Sequence, residues 1–208
     1  MSTYIPIIRK YNAIDDTIIV SPTDVRELYD YKVYIGTHDI KSKWTIWVAD
    51  NFSCSKVYTR RDRARASLLG IVVPGYKSWN RDSSVNVLPS LPYINGCATS
   101  QLLPPIRSGD PTWQYLYMPP HTAEQAHHIH STARIVYVKS GSGICIHGTP
   151  TKSETIALEP HDVLIIDPMV PHHFKTKDEP LEVLPFHVWS SQGRSEFNHP
   201  MFNGTHEV

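Results

Sequence analysis

The chain has 208 residues, of which 40% are hydrophobic, and its 20 lysines and arginines balance its 20 aspartates and glutamates. This balance argues against the strongly basic class of nucleic-acid-binding proteins and against electrostatic attraction to an acidic membrane. We therefore expect neither a nucleic-acid nor a membrane partner. Seventeen prolines and ten glycines favour many short elements joined by turns over a helical bundle.

The cysteines and the first residues bear on the cellular compartment. Cys54, Cys97 and Cys145 are far apart and form no C-x-x-C pair, which argues against a disulfide scaffold and fits a reducing compartment. The first ten residues contain no long apolar segment after a basic one, so they predict no secretory signal. No run approaches the ~18 apolar residues of a membrane span. The expected location is the cytoplasm.

The N-terminal part of the chain predicts short helices and strands. Ser-Pro-Thr-Asp at 21–24 is typical of a capped helix start and predicts a short helix to about residue 29. Aromatic and β-branched residues predict strands over 31–35 and 44–49. A second capping pattern, beginning at Thr59, predicts a helix that ends at Gly70. Its arginines indicate either a solvated face, which we favour, or a phosphate- or partner-binding patch.

The C-terminal part predicts a different architecture. Residues 72–111 are rich in Pro, Ser, Asn and Gly and indicate a loop-heavy connection. We therefore divide the chain into an N-terminal elaboration over 1–95 and a β-barrel domain with a C-terminal arm over 96–208. Turns about every 8–12 residues separate short apolar runs, which predicts an antiparallel sandwich or barrel. The predicted strands cover 113–118, 134–139, 144–147, 154–158, 163–166 and 181–189.

Histidines are concentrated in this C-terminal part. Of the 12 histidines, only His38 precedes residue 120. His128 and His130 are two residues apart, so on a strand both side chains leave the same face. His172 follows another apolar strand and offers a third imidazole. Three imidazoles suit a divalent transition metal, and they leave positions open for water, substrate or dioxygen.

These residues carry a resemblance to the cupin superfamily over about 120–175. The first cupin motif is commonly G-x5-H-x-H-x3,4-E-x6-G, and His128, His130 and Gly141 stand at its offsets. Thr122 replaces the leading glycine, and Arg134 replaces the glutamate. The second motif is matched at its metal histidine by His172. Its other characteristic residues are replaced by His161, Asp167, Met169 and Thr176.

The resemblance implies a fold, a cofactor and an assembly. It implies an all-β cupin jelly-roll β-barrel, here with an N-terminal α+β elaboration. It also implies one divalent transition metal held by His128, His130 and His172, with Fe(II) favoured and Zn, Ni, Mn or Cu as alternatives. A metal-free jelly roll remains an alternative. Cupins often dimerise by exchanging strands, so we expect a homodimer in which arms such as 1–20 and 72–100 take part.

Arg134 separates this chain from cupins whose metal is held by three histidines and a glutamate. A guanidinium stays protonated and cannot bind a metal. If Arg134 faces the metal, an anionic ligand must lie between them, held in a bidentate fork. The alternative is that Arg134 turns to the barrel mouth and pairs with a surface acid.

The resemblance also implies a reaction class. All-histidine cupin sites occur in thiol dioxygenases and in some ring- or diketone-cleaving dioxygenases. We therefore expect an Fe(II) dioxygenase that acts on a small anionic substrate. The alternatives are a metal-dependent cupin lyase or isomerase, with His187 or a tyrosine as base, and a non-enzymatic small-molecule-binding or regulatory cupin.

Further residues are assigned weaker roles. Beside Arg134, the catalytic candidates are His187, Tyr117 and Gln125. Tyr115 and Tyr137 are alternative phenols, although aromatic residues in strands more often belong to the core. His127 and His173 adjoin the expected ligands and should point to the opposite face unless the register slips by one residue. The histidines expected in exposed turns are His121, His147 and His161.

Overall fold

The computed structural model describes residues 7–20, 30–51, 53–57, 63–124 and 126–190. These residues form eighteen strands and one short 3-10 turn, Ile94–Gly96. In chain order the strands are β1 (Ile8–Asn12), β2 (Thr17–Val20), β3 (Lys32–Ile35), β4 (His38–Lys41), β5 (Ile46–Ala49), β6 (Ser53–Val57), β7 (Arg63–Ala66), β8 (Leu69–Val72), β9 (Arg81–Ser84), β10 (Leu91–Pro92), β11 (Ala98–Leu103), β12 (Thr112–Met118), β13 (Arg134–Gly141), β14 (Gly143–Thr149), β15 (Lys152–Leu158), β16 (Asp162–Ile166), β17 (His172–Lys175) and β18 (Leu181–His187).

Four sheets are stacked in layers. The C-terminal jelly roll has a seven-stranded sheet, in the order β1-β16-β13-β18-β12-β11-β10, and a three-stranded sheet, β15-β14-β17. The N-terminal part has a six-stranded sheet, β2-β3-β8-β5-β6-β9, and a two-stranded sheet, β4-β7. All six strands predicted between residues 113 and 189 are present, and β17 adds a further one. The prediction of an all-β jelly roll is confirmed.

Three apolar cores separate the layers. The largest core contains Trp47 and Ile71 from the six-stranded sheet and Trp113, Ile135 and Phe186 from the seven-stranded sheet, so these two sheets pack face to face. A second core fills the jelly roll between its two sheets and includes residues of β12, β13, β16, β17 and β18. A third, small core lies under the two-stranded sheet.

Side-chain alternation along β13 decides which residues face the inside of the jelly roll. Ile135 and Tyr137 belong to the large core between the sheets, whereas Val136 and Val138 belong to the core inside the jelly roll. Because alternate side chains of a strand leave the same face, Arg134 lies on the inner face with these two valines. The seven-stranded sheet therefore presents a buried charged residue at one end of an apolar wall.

The first described strand completes the C-terminal sheet. β1 pairs antiparallel with β16, from Ile8 opposite Ile166 to Asn12 opposite Asp162. Two ion pairs accompany this edge, Arg9 to Asp167 at 2.6 Å and Lys10 to Asp162 at 2.8 Å. The N-terminal segment thus contributes a strand to the sheet that carries the candidate site. The division at residues 95 and 96 stays a prediction.

The predicted helix from Thr59 to Gly70 is wrong where the structure describes it, because residues 63–66 and 69–72 form β7 and β8. β8 lies between β3 and β5, and its four residues are all buried, so sheet pairing outweighs the local capping pattern. Gly70 does not end a helix. A Cβ there would lie 2.2 Å from Cδ1 of Ile40, so the missing side chain permits close packing of β4.

The N-terminal α+β elaboration is accordingly not supported, since the described residues before β10 form strands without an α-helix. The helix predicted over 21–29 lies outside the described residues, as do Arg60 and Arg61. Within the ranges that the structure describes, no helix has the length and apolar character needed to cross a membrane.

Candidate metal centre

Two separate segments of the chain bring three histidines together. His128 lies in the connection before β13, and His172 begins β17. The two residues form an isolated antiparallel bridge, in which His128 N donates to His172 O at 3.1 Å and His172 N donates to His128 O at 2.9 Å. His130 follows two residues after His128. The connection before β13 is thereby fixed to the three-stranded sheet.

The three imidazoles converge on one point. Their ligand atoms all lie within 4.8 Å of one another, and Nε2 of His128 is 3.1 Å from Nε2 of His130. The ring of His172 lies 4.7 Å from that of His128 and 5.2 Å from that of His130, centroid to centroid. Two nitrogens bound to one ion at about 2.1 Å lie roughly 3.0–3.4 Å apart for ligand angles between 90° and 109°. The 3.1 Å between His128 and His130 fits this range.

Backbone carbonyls orient two of the three rings. Nδ1 of His128 lies 3.0 Å from the carbonyl oxygen of Ala126, and Nδ1 of His172 lies 2.7 Å from that of Val170. A carbonyl can only accept, so the proton of each neutral ring is on Nδ1. The Nε2 atom then carries the lone pair that faces the shared point. Metal-binding histidines usually donate their other N–H to a carbonyl or carboxylate in this way.

Burial keeps these histidines neutral. His172 is only 3% exposed. Burial lowers the pKa of His128 to about 4 and that of His172 to about 3, and it lowers the pKa of His130 well below its usual value. Neutral imidazole is the form that binds metals. The donor set therefore fits a divalent transition metal, as the histidine spacing predicted.

Arg134 lies on the inner face beside this group. Its Nη1 donates to the carbonyl oxygen of Thr132 at 3.2 Å, to the Oγ1 of Thr132 at 2.9 Å and to the carbonyl oxygen of Ala133 at 3.3 Å. Burial lowers the pKa of Arg134 to about 9, so the guanidinium is still charged at neutral pH. After burial, this charge is a further cause of the lowered pKa of all three histidines.

No carboxylate of the described residues pairs with Arg134, whose contacts are all with Thr132 and Ala133. Its Nε is buried without a hydrogen-bond partner in that part of the chain. The surface acid that would hold Arg134 at the barrel mouth is thus not found there. A buried cation beside three neutral imidazoles is an attractive site for an anion.

His187 shares the inner face with Arg134. It is directly opposite Arg134 on β13 and opposite Thr112 on β12, and Leu181 and Val183 of the same strand belong to the core inside the jelly roll. The ring centroid of His187 lies 6.1 Å from that of His130. The structure therefore brings His187 to the edge of the histidine group.

The tyrosine candidates lie on the other side of the sheet. Trp113 and Tyr115 pack in the core between the two large sheets, whereas Leu116 and Met118 face the inside of the jelly roll. By alternation, Tyr117 shares the face of Tyr115 and points away from the three histidines. Tyr137 also packs in the core between the sheets. Gln125 lies outside the described residues.

The neighbouring histidines occupy the outside of the wall. Nδ1 of His127 lies 2.9 Å from Nδ1 of His173, and the two rings are arranged edge to face. His147 was expected in a turn but lies on β14, directly opposite His172, so unlike His127 and His173 it leaves the inner face, which it shares with Cys145. His161 is in an exposed turn, where its Nδ1 lies 2.9 Å from the hydroxyl of Tyr137.

One carboxylate of the site was missed by sequence reasoning. Glu124 is only 7% exposed, and its Oε1 lies 3.9 Å from Nε2 of His128. Its Oε2 accepts a hydrogen bond from the backbone N–H of Phe174 at 3.1 Å. Burial raises the pKa of Glu124 to about 7. The one available signal was its spacing four residues before His128, within a segment that looked like a polar link.

Part of the chain is similar to known proteins. Residues 114–188 match the family model described as a cupin domain. No curated protein matches the chain. A structure of the DMSP lyases RdDddP and RnDddQII is 18% identical, with a TM-score of 0.41 over 50% of this chain and 52% of that chain. The chain therefore spans about half the length of that relative.

Two further solved structures are similar at comparable levels. The polyketide cyclase RemF from Streptomyces resistomycificus is 18% identical, with a TM-score of 0.41 over 49% of this chain and 72% of that chain. A cupin superfamily protein from Desulfitobacterium hafniense DCB-2 is 12% identical, with a TM-score of 0.39 over 46% of this chain and 80% of that chain. The segment that matches the cupin domain model, residues 114–188, contains His128, His130 and His172.

Proposed function

We propose that this chain is a mononuclear metal-dependent enzyme, an Fe(II) dioxygenase that acts on a small anionic substrate. The observation that carries the proposal is the buried, charged Arg134 beside three neutral histidines, with no acidic partner among the described residues. A guanidinium and a divalent ion repel each other unless an anion lies between them. An anionic substrate would lie between the guanidinium of Arg134 and the metal ion and would interact with both.

Arg134 would bind the carboxylate, or an equivalent anionic group, of this substrate. Its Nη1 is engaged by Thr132 and Ala133, which fix the direction of the guanidinium plane. A fixed guanidinium offers parallel N–H donors to two oxygens and therefore orients the bound group as well as attracting it. This orientation would set which substrate atom lies next to the three histidines.

The remaining residues of the pocket have separable tasks. His128, His130 and His172 would hold the metal, and an Fe(II) ion there would supply the redox chemistry of oxygen activation. His187 would hold or transfer a proton at the substrate, since it lies between Arg134 and Thr112 on the inner face. The apolar residues below, such as Val136 and Val138, would exclude water from the reaction.

Oxygen uptake tests this proposal. Protein stripped of metal and reconstituted with Fe(II) under anaerobic conditions is mixed with air-saturated buffer and a panel of small carboxylates and thiol-bearing acids. We expect stoichiometric oxygen consumption with at least one acid, and loss of that uptake in Arg134→Met. If no acid supports uptake above the level of the metal-free protein, the dioxygenase proposal fails.

A lyase or isomerase on the same centre is the second candidate, favoured by the place of His187. A base on the inner face beside the anion-binding arginine suits abstraction of a proton next to a carboxylate. Such a reaction needs no oxygen. Conversion of an acid under strictly anaerobic conditions, with loss of activity in His187→Gln, would support this alternative over the dioxygenase.

A further inference from the structure

Glu124 is held at the histidine group by the strand that carries His172. Its backbone N–H donates to the carbonyl oxygen of Phe174 at 3.1 Å, and the backbone N–H of Phe174 donates to its Oε2, also at 3.1 Å. These two bonds fix both the backbone and one carboxylate oxygen to β17. The other oxygen, Oε1, lies 3.9 Å from Nε2 of His128, the atom of that ring that faces the metal position.

The carboxylate of Glu124 lacks a permanent cation. Within the described ranges, its single charge partner is the imidazole of His128, at 3.9 Å, and no lysine or arginine pairs with it. Arg134 is engaged by Thr132 and Ala133 and makes no contact with Glu124. A buried carboxylate without a compensating charge is unfavourable by several kcal/mol. A divalent ion at the three histidines would compensate this charge without moving the backbone.

The distance is compatible with a shared ion. Two ligand atoms bound at about 2.1 Å lie at most roughly 4.2 Å apart, when they are on opposite sides of the ion. The 3.9 Å between Oε1 of Glu124 and Nε2 of His128 is within this limit. Glu124 is outside the group of ligand atoms that lie within 4.8 Å of one another, so its carboxylate would have to turn toward the three histidines to join the ion.

We propose that Glu124 supplies a carboxylate ligand to the metal held by His128, His130 and His172. The ligand comes from the segment before the histidine pair, and the strand residue Arg134 is thereby left to bind an anion. The proposal rests on the metal site of the proposed function and is independent of its oxygen chemistry. A carboxylate ligand also favours Fe(II), Mn(II) or Zn(II) over softer metals.

Cobalt(II) titration of the metal-free protein tests the proposal without substrate or oxygen. Three proteins are compared: the wild type, Glu124→Gln, and the control Glu159→Gln, which changes an exposed glutamate in the turn before β16. Each is titrated with Co²⁺ alone, and the visible absorption spectrum and the affinity against a competing chelator are recorded. The three histidines remain in all of them.

We expect Glu124→Gln to bind one Co²⁺ with an affinity reduced about tenfold or more and with an altered visible spectrum. Glu159→Gln should match the wild type in both. If Glu124→Gln binds Co²⁺ with the wild-type affinity and spectrum, the ligand assignment is overturned, whatever the outcome of the oxygen-uptake experiment. The opposite combination is also informative. If the wild-type protein binds Co²⁺ more tightly than Glu124→Gln but turns over no acid, the ligand assignment stands and the enzymatic proposal fails.

Thermal unfolding of the metal-free proteins separates ligand loss from misfolding. Gln retains the acceptor for the Phe174 N–H and removes the uncompensated charge, so Glu124→Gln should unfold at the same temperature as the wild type or higher. The wild type should gain more thermal stability from Co²⁺ than this variant. If Glu124→Gln misfolds, the Co²⁺ titration is repeated with Glu124→Asp. This variant keeps the carboxylate but moves it away from the metal position by the length of one methylene group. Unchanged Co²⁺ affinity in a folded Glu124→Asp would then overturn the proposal.

Discussion

His128 and His172 lie directly opposite each other and exchange both backbone hydrogen bonds, at 3.1 and 2.9 Å. This pair fixes the register of two segments that are remote in sequence. On the outer side of the same wall, His127 and His173 contact each other. A slip of one residue would exchange the inner and outer histidines, so the backbone pairing determines which imidazoles form the candidate metal centre.

Replacement of the inner and outer histidines of β17 should therefore have different effects. His172→Asn removes a ligand and should reduce the metal content of purified protein to near zero. His173→Asn removes only the contact with His127 and should leave about one metal per chain. Metal analysis of both variants checks this. Loss of metal in His173→Asn with retention in His172→Asn would show that the opposite face binds the metal.

Arg134→Met should separate stability from function. The substitution removes a buried charge that has no acidic partner among the described residues, and it retains an apolar stem of similar length. The metal-free variant should therefore unfold at the wild-type temperature or above it. Its affinity for a carboxylate should fall about tenfold or more, since a hydrogen bond to a charged group contributes about 1.5–3 kcal/mol.

Calorimetric titration with the acid that supports turnover measures this loss, and thermal unfolding is recorded alongside it. Thr132→Val serves as a companion variant because it removes the Oγ1 acceptor that holds Nη1 of Arg134 and keeps the charge. A large loss of stability in Arg134→Met without loss of carboxylate affinity would assign Arg134 to the fold instead of the ligand.

Gly141 should tolerate no side chain. Its φ is +77°, and a Cβ there would lie 1.9 Å from the carbonyl oxygen of Pro180. Gly141→Ala should therefore lower the free energy of unfolding by about 3 kcal/mol. Gly75 is a matched control, with a φ of +88° and nothing within 4 Å of its Cβ position. Gly75→Ala should lower the free energy of unfolding by only about 1–2 kcal/mol, which is the backbone strain of a positive φ. Denaturant unfolding that gives equal losses for both variants would contradict the close approach.

Glu182 should contribute to the pH dependence of stability. Burial alone would raise the pKa of Glu182, but hydrogen bonds from Lys139, at 2.8 Å, and from Tyr115 outweigh it and hold the pKa below the ordinary value of 4.5. A lowered pKa in the folded state means that the stabilisation is fully present above pH 4.5 and disappears as the pH falls through the folded value.

Glu182→Gln should accordingly be less stable than the wild type at pH 7, and the difference should shrink in acid. Urea unfolding at pH 7, 5 and 3 would measure this convergence. Glu154→Gln, at an exposed residue of β15, is the control and should follow the wild type throughout. A stability difference that stays constant down to pH 3 would mean that the charge of Glu182 is not what stabilises the fold.

Local periodicity was sufficient for the strands of the jelly roll and for the histidine group, because both depend on alternation along a strand. It was insufficient where a tertiary partner decides the outcome. The capping pattern before Arg63 favours a helix, but β3 and β5 pair with the segment after it and impose a strand. Tyr117 was placed on the correct strand, yet the pattern alone could not tell which face of β12 is turned toward the three histidines.

Glu124 shows the same limit for a functional group. Its burial follows from backbone bonds to Phe174, a residue fifty positions later in the chain. Nothing in the polar sequence around it distinguishes it from an exposed glutamate. Arg134 was interpretable because it departs from a motif, whereas Glu124 belongs to no motif and becomes visible only when β17 is placed beside it.

The pairing of β1 with β16 has a consequence for any attempt to isolate the C-terminal jelly roll. A fragment that begins at residue 96 would leave the edge backbone groups of β16 without partners, and exposed strand edges invite pairing with another chain. The fragment would also lack Arg9 and Lys10, which form ion pairs with Asp167 and Asp162, respectively. These two carboxylates are only 2% and 3% exposed, so they would be left buried without their cations. Such a fragment should aggregate unless a peptide spanning Ile8–Asn12 is supplied in trans.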